Sequence, residues 1–395
     1  MPEKMYNRTL VFAAACLGML VFGIVLTSLG ALLPSLIEQF GIDRAAAGSL
    51  LMLMSVGVML GSLVFGPVAD RHGYRGLLAI NLALVILGLE GIAFATSLLW
   101  LRVSILLVGF AGGIVNGGAN ALVADISEGG RAAGLSLLGI FFGIGAVGVP
   151  FSLGLLLDSF SYQTLVSGMG LCVLLPTLLV VAIRFPRPKQ THGLPLREGL
   201  RLTRDRVLLL MGLVLFLQSG LEVTVGGWTA TYYQERMGLT GTRALWFLSL
   251  FWFGMMLARL ALGTIFRRVP GRIVMPVSIG TSLLGSTLML SAPTLSLAAT
   301  GTWLIGAGLG AGFPVMLGMV GERYAALSGT AFSIALVIAL TGGSVFPYVA
   351  GVLGEQVGLT ASLLIVPAAL AVQLVLFGAV LRRAAPLAVA PAAAP

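Results

Sequence analysis

Long apolar runs alternate with short polar breaks from one end of this chain to the other. A helix crosses hydrocarbon with about 20 apolar residues. Cutting at charge and turn clusters yields twelve such runs, at 9–33, 45–68, 76–97, 98–124, 132–157, 161–184, 206–232, 242–265, 273–291, 294–320, 327–353 and 359–381. One break is long: residues 185–205, FPRPKQTHGLPLREGLRLTRD, fall midway along the chain. The pattern predicts an all-α membrane protein with twelve transmembrane helices in two six-helix bundles. The first bundle is 1–184, a cytoplasmic linker follows at 185–205, the second bundle is 206–383, and 384–395 is a disordered Ala/Pro tail.

The two groups of six repeat each other. Adding 197 to Gly23, Gly30, Gly66, Gly109 and Gly145 lands on Gly220, Gly227, Gly263, Gly306 and Gly342. Glycine is common here, so those matches carry little weight alone. The same offset also takes Arg71 to Arg268, Arg75 to Arg272, Asp125 to Glu322, Pro150 to Pro347 and Asp158 to Glu355. Related halves imply a pseudo-two-fold axis along the membrane normal with a central site between them, which is transporter architecture.

Composition agrees: 58% of residues are hydrophobic and 9% charged, against about 25% charged in soluble domains. The net charge of +9 would suit a nucleic-acid binder, but its placement argues against that. With both termini and the linker inside, Lys4, Arg8, Arg71, Arg75, Arg131, seven residues from Arg184 to Arg206, Arg267, Arg268, Arg272, Arg323, Arg382 and Arg383 are cytoplasmic. Outside remain Arg44, Arg102, Arg236 and Arg243, so the charge is a topology signal for a multi-pass inner (plasma) membrane protein. The first apolar run is too long for a cleavable signal segment. Cys16 and Cys172 lie in apolar runs and read as packing residues. His72 and His192 fall in breaks, so no metal site or cofactor is expected, and no nucleophile–base constellation suggests an enzyme.

The break after the second run, GPVADRHGYRG at 66–76, resembles the signature loop of the major facilitator superfamily through Gly66, Asp70, Arg71, Gly73 and Arg75. The matching loop of the second half, GTIFRRVPGR, keeps Gly263, Arg268 and Arg272 but has Arg267 where Asp70 would fall. GGIVNGGANALVADIS in the fourth run and GLEVTVGGWTATYY in the seventh are similar to sugar carriers of the fucose:proton symporter and sodium-dependent glucose transporter group. The resemblance implies the major facilitator fold, with the first, fourth, seventh and tenth spans lining a central cavity.

Polar residues inside those spans become the candidate site. Asn116 and Asn120 share a helix face at i,i+4 spacing. Gln218 is similarly deep in the seventh span, with Glu222 one turn on and Trp228 nearer the outside. Amides for hydroxyl groups and a ring for an apolar sugar face suit a monosaccharide. The bland reading is that the amides bridge helices and Trp228 belongs to an interface belt. A carboxylate in a span usually marks an ion or substrate path, so Glu222 is expected to couple transport to protons or sodium. The first span has Thr27 and Ser28 but no acid, unlike proton-coupled carriers of the fucose group. Glu90, in the third span, reads as peripheral.

On the cytoplasmic side lie Asp70, Arg71, Arg75, Asp125 and Arg131, with Arg259, Arg268, Arg272 and Glu322 in the second half. The superfamily resemblance implies a gate that ties the halves together when the carrier faces outward, the alternative being a topology anchor of solvated arginines. GAGLGAG at 306–312 reads as glycine-mediated packing with flexibility near Pro314. The expectation is a monomeric secondary transporter of a small polar solute, foremost a monosaccharide, by proton or sodium symport. The alternative is a proton-driven exporter of drugs or other amphiphiles, for which Phe141, Phe142, Trp252 and Trp303 would supply the aromatic lining. A non-transporting membrane receptor or scaffold is the reading from a different class.

Overall fold

The computed structural model describes residues 6–127, 131–186, 202–324 and 328–384; within them the side chains of a few positions, Asp70 and Arg131 included, lie outside the described residues. Most of the expected linker and the expected tail also lie outside. The helices are α1 Arg8–Phe40, α2 Arg44–His72, α3 Tyr74–Ala93, α4 Leu98–Ile126, α5 Arg131–Leu156, α6 Tyr162–Ala182 and α7 Arg206–Met237. They continue with α8 Gly241–Gly263, α9 Gly271–Ser291, α10 Leu295–Leu309, α11 Gly312–Arg323, α12 Ser328–Val357, α13 Leu359–Ser362 and α14 Ile365–Ala384. Among the described residues, twelve segments are long and apolar enough to cross a membrane, in the expected order. The tenth is α10 plus α11, broken at Gly310–Ala311, and the twelfth is α13 plus α14. The first runs on through Pro34 to Phe40 rather than ending near Leu33.

Local chemistry sets the ends of the two central helices in parallel ways. The Asn7 side chain accepts from the Thr9 and Leu10 amides at the start of α1, and Asp205 does the same for Val207 and Leu208 at the start of α7. Side-chain oxygens there satisfy amides that have no partner inside the helix. Both helices stop at a left-handed glycine, Gly41 at φ 58° and Gly238 at φ 62°, a conformation that other residues rarely adopt. These two caps are separated by the same 197 residues as the sequence matches. The repeat therefore reaches into the backbone.

α1 and α7 bury more of their length than the other spans. α1 packs on α4 and α5, α2 and α3 on α4, and α3 on α6. α7 packs on α12, α14 and α8, while α10 packs on α8 and α9. The first six helices meet the rest along α2–α12, α5–α8 and α1–α7. A Cβ on Gly30 of α1 would overlap the Gly226 carbonyl of α7, so those helices cross backbone to backbone. In a bilayer such small-residue contact replaces the hydrophobic drive that holds helices together in water.

The seam between the halves is uneven along its length. Taking the end that holds the start of α1 and the start of α7 as the terminal end, contacts are dense at the opposite end. There Phe151 meets Trp246 edge-on at 5.0 Å, and Gly48 lies against Pro347 and Tyr348. Contacts continue to mid-bundle, where Gly143 abuts Met256 and the Thr341 hydroxyl lies 4.0 Å from the Met59 sulfur. Beyond that level on α2, Leu60, Leu63 and Val64 are exposed.

Candidate functional site

Glu222 sits on α7 and is 6% exposed. Arg259, on the neighbouring α8, brings Nη2 to 3.5 Å from Glu222 Oε1. The sequence grouped Arg259 with the terminal-end cluster; its long side chain instead reaches up the bundle to the one carboxylate of α7 that is buried. A lone carboxylate in hydrocarbon would be far costlier than a paired one, which accounts for the attraction. The pairing is incomplete. Glu222 Oε2 and Arg259 Nε are buried with no hydrogen-bond partner among the described residues.

The first half contributes the floor of this site. The Arg259 guanidinium lies over the Phe142 ring of α5, 5.2 Å from its centroid, a cation–π contact across the seam. Phe142 also meets Phe22 of α1 at 5.7 Å and the edge of Trp252 of α8 at 6.2 Å. The Trp252 indole N–H is buried without an acceptor among the described residues. Trp252 and Arg259 are seven residues apart on α8 and so share a face. The arrangement offers a guanidinium, a carboxylate oxygen and an indole N–H around aromatic rings, with the Arg259 side chain 24% exposed.

Asn116 and Asn120 lie on α4, where the Asn120 amide also comes within 3.6 Å of the Met19 sulfur of α1. One face of α4 packs on α1, with Val115 and Ala119 at Gly18 and Gly112 at Val25; another packs on α2, with Gly109 at Met54 and Gly113 at Val58. Residues 116 and 120 fall between these two faces and are half-buried. The Asn120 amide donates to Asn116 Oδ1 at 3.0 Å and to the Asn116 carbonyl at 2.9 Å.

Two expected cavity residues are elsewhere. Gln218 is buried, donates to the Leu309 carbonyl at 2.7 Å and accepts from Gln373 of α14 at 3.1 Å. Leu309 ends α10, so its carbonyl has lost its helical partner at the break in the tenth span, and Gln218 replaces that partner. Gly312, just beyond the break, has no room for a Cβ because the Gln218 side chain fills the space. Trp228 is fully buried and its indole donates to the Pro347 carbonyl of α12 at 3.0 Å, a carbonyl of a helix that carries a proline. Both polar side chains are spent on helix contacts.

At the terminal end, the described contacts of the candidate gate run within each half. Tyr74 donates to Asp125 at 2.8 Å, and Arg75 donates to the Val181 carbonyl. Arg71, Arg268, Arg272 and Glu322 are exposed. Asp205, which the sequence reading had only as a linker residue, accepts from Tyr324 at 2.7 Å and so straps the start of α7 to the end of α11. Burial works against its charge, but hydrogen bonds from Leu208, Tyr324 and Val207 and the nearby Arg323 hold its carboxyl below the usual range. Burial and the same hydrogen bond push Tyr324 up to about 12.

The inter-half ion pairs described lie at the opposite end, where sequence reading saw only an outside Arg. Arg44 of α2 meets Glu235 of α7 through Nε at 3.1 Å and Nη2 at 3.2 Å, and Glu355 of α12 at 3.6 Å. The Arg44 amide also donates to Glu355 at 3.0 Å. On the pseudo-symmetric seam, Thr242 at the start of α8 donates to Asp158 at 2.6 Å. Asp158 and Glu355 are one of the 197-residue matches, so the repeat places an acid on a helix start of the other half twice over.

Residues 15–299 match the family model of the Major Facilitator Superfamily. The chain belongs to the major facilitator superfamily. Among curated proteins it is 28% identical over 179 residues to the 4-hydroxybenzoate transporter PcaK of Pseudomonas putida. That match spans 45% of this chain and 39% of the relative, under half of each. Among solved structures, the nucleoside transporter NupG superposes with a TM-score of 0.78 at 16% identity, covering 94% of this chain and 99% of that one. The D-xylose-proton symporter gives 0.76 at 16% identity, covering 93% and 96%. At such identities these two structures speak for the fold. Family and helices together make this a multi-pass membrane protein of the major facilitator superfamily.

Proposed function

We propose that this major facilitator protein is an ion-coupled secondary transporter of a small organic acid, working by alternating access between its halves. The observation that carries the reading is the Glu222–Arg259 pair: a half-finished ion pair over an aromatic floor contributed by the other half. A guanidinium fits a carboxylate through two parallel N–H bonds, and the rings of Phe142, Phe22 and Trp252 suit a solute with a flat apolar body. The 4-hydroxybenzoate carrier among the relatives fits that chemistry. The monosaccharide reading leaned on Gln218 and Trp228, and both are committed to neighbouring helices. Asn116 and Asn120 remain available for a hydroxyl or phenol on the solute.

The terminal end faces the cytoplasm, in keeping with its arginines, and the protein sits in a bacterial-type inner membrane. Described contacts join the halves at the far end and down to mid-bundle, which supports an inward-facing reading of this conformation. The cytoplasmic cluster, whose described contacts run within each half, joins the halves in the outward-facing state. Glu222 is the residue that senses the coupling ion.

Proteoliposomes test the reading. With an imposed proton gradient, labelled 4-hydroxybenzoate should accumulate, and xylose should neither accumulate nor compete. Accumulation of xylose with no uptake of the acid would reject the organic-acid assignment.

A further inference from the structure

Glu222 and Arg259 form a pair that neither partner completes. One contact joins them, at 3.5 Å, near the outer limit for a hydrogen bond. Arg259 has five N–H donors in a planar fork. Its Nε is buried and unpartnered, as is Glu222 Oε2. Glu222 is anchored to the α7 backbone, and from that anchor it reaches a single guanidinium nitrogen. An untethered carboxylate carries no such restriction and can take the fork through two parallel bonds.

We propose that Glu222 is a built-in occupant of an anion site on Arg259. The carboxylate of the transported solute displaces it, and the released Glu222 takes up one proton. This rests on the organic-acid reading above and adds how that acid is recognised and coupled.

Charge balance dictates the second half of the exchange. The resting pair sums to zero. A second carboxylate entering without a proton would leave two negative charges around one guanidinium in a low-dielectric interior, where an uncompensated charge costs several kcal/mol. Protonating Glu222 restores neutrality. The Glu222–Arg259 contact breaks, a solute–Arg259 ion pair forms, and an O–H bond forms at Glu222 with a proton from the open aqueous side. No electrons move. Each monocarboxylate therefore crosses with one proton, and the cycle carries no net charge.

The surroundings leave Arg259 as the charged group that bears on Glu222. Of the other ionisable residues on helices packed against α7, Arg8, Glu322, Arg323, Arg382 and Arg383 lie at the terminal end. Glu38, Arg243 and Glu355 lie at the opposite end, and the uncharged Cys16 and Tyr348 are on α1 and α12. On α7 itself, Arg206 lies at the terminal end and Glu235 and Arg236 at the opposite end, and the phenols of Tyr232 and Tyr233 donate to the carbonyls of Met289 and Ala298. Trp252, with its unpartnered indole N–H, and the Phe142 ring complete a socket for the ring of the incoming acid.

The test is equilibrium binding of 4-hydroxybenzoate to the full chain in nanodiscs at several pH values. The neutral 4-hydroxybenzyl alcohol serves as a control, and thermal melts check folding. For the wild type, Kd should weaken by roughly tenfold per pH unit on the alkaline side, the signature of one proton taken up with the ligand. Glu222→Gln should bind the acid more tightly than wild type at alkaline pH, with the pH slope gone, because the competitor is removed. Glu222→Asp, with a shorter reach, should also bind more tightly while keeping the slope. Arg259→Gln should lose the acid but keep the alcohol.

Weaker acid binding in Glu222→Gln with an intact melt, or a retained pH slope, overturns the exchange. So does uptake of the acid that responds to membrane potential at fixed pH. If the wild type binds no 4-hydroxybenzoate at any pH while binding another solute, the organic-acid reading itself has failed, and the exchange goes with it.

Discussion

Gln218→Ala should cost stability rather than affinity. Gln218 makes two bonds across helices, one to the Leu309 carbonyl at 2.7 Å and one from Gln373 at 3.1 Å. Measured hydrogen bonds within membranes average about 0.6 kcal/mol, so the pair contributes about 1.2 kcal/mol. Removing the buried amide and its methylene also empties space beside Gly312, adding about 1 kcal/mol or more in lost packing. The Leu309 carbonyl, freed by the break in the tenth span, would lose the partner that replaces its helical one. We expect about 2 kcal/mol in all, a factor of roughly 30 in the unfolding equilibrium. Reversible denaturation in mixed micelles, monitored by Trp fluorescence, would measure it. Solute binding, normalised to the folded fraction, should change less than about twofold. Gly312→Ala sharpens the test: a Cβ there collides with the Gln218 side chain, so it should destabilise the wild type and be tolerated in Gln218→Ala. Unchanged stability in Gln218→Ala together with a large loss of binding would refute the bridging role and return Gln218 to the cavity.

Asp205→Ala should destabilise the start of α7 by about 1 kcal/mol, the usual loss for such a cap. Because folding lowers the Asp205 pKa, its contribution is present above the ordinary carboxylate range and is lost as pH falls through the folded value. Stability of the variant should therefore fall less on acidification than that of the wild type, and a pH series of melts checks this. Arg44→Gln should shift the population toward the outward-facing state, raising the reactivity of a cysteine placed at the opposite end on a Cys-free background; unchanged reactivity would count against Arg44 as a latch. Asn120→Ala should leave folding intact, since the amide bonds mainly within α4, and weaken binding of a hydroxylated ring acid by about 1–3 kcal/mol relative to benzoate. Equal losses for both ligands would place Asn120 outside the solute's reach.

The twelve spans were legible because a helix in hydrocarbon has to be long and apolar, and the repeat was legible because acids, arginines and a proline recur at one offset. The partners of the buried polar groups were not. An amide in an apolar helix looks the same whether it faces a cavity or a neighbour's carbonyl, and what decided Gln218 was a helix break 91 residues away. Arg259 was misplaced because its distance from Gly263 gives the position of its Cα, while the side chain spans more than a helical turn. A usable signal existed: Trp252 and Arg259 share a face of α8, and Phe142 had already been noted as an aromatic inside a span. Pairing that face with Glu222 needed the crossing of α7 over α8, which one sequence does not contain.

The two closures at the far end of the bundle are built from different materials. On the α2 side a guanidinium grips two carboxylates, with its side chain about one-third exposed; on the α8 side one hydroxyl holds one carboxylate. Exposed charge pairs weaken as salt screens them, and a hydroxyl contact with a single charge responds less. Sea water and fresh water would thus load the two sides of the molecule unequally. For the alternating access proposed above, the α2 side is then the firmer clasp in dilute surroundings. In brine that advantage shrinks, and the halves part more evenly. The axis of the proposed rocking motion would then depend on the medium as well as on the fold.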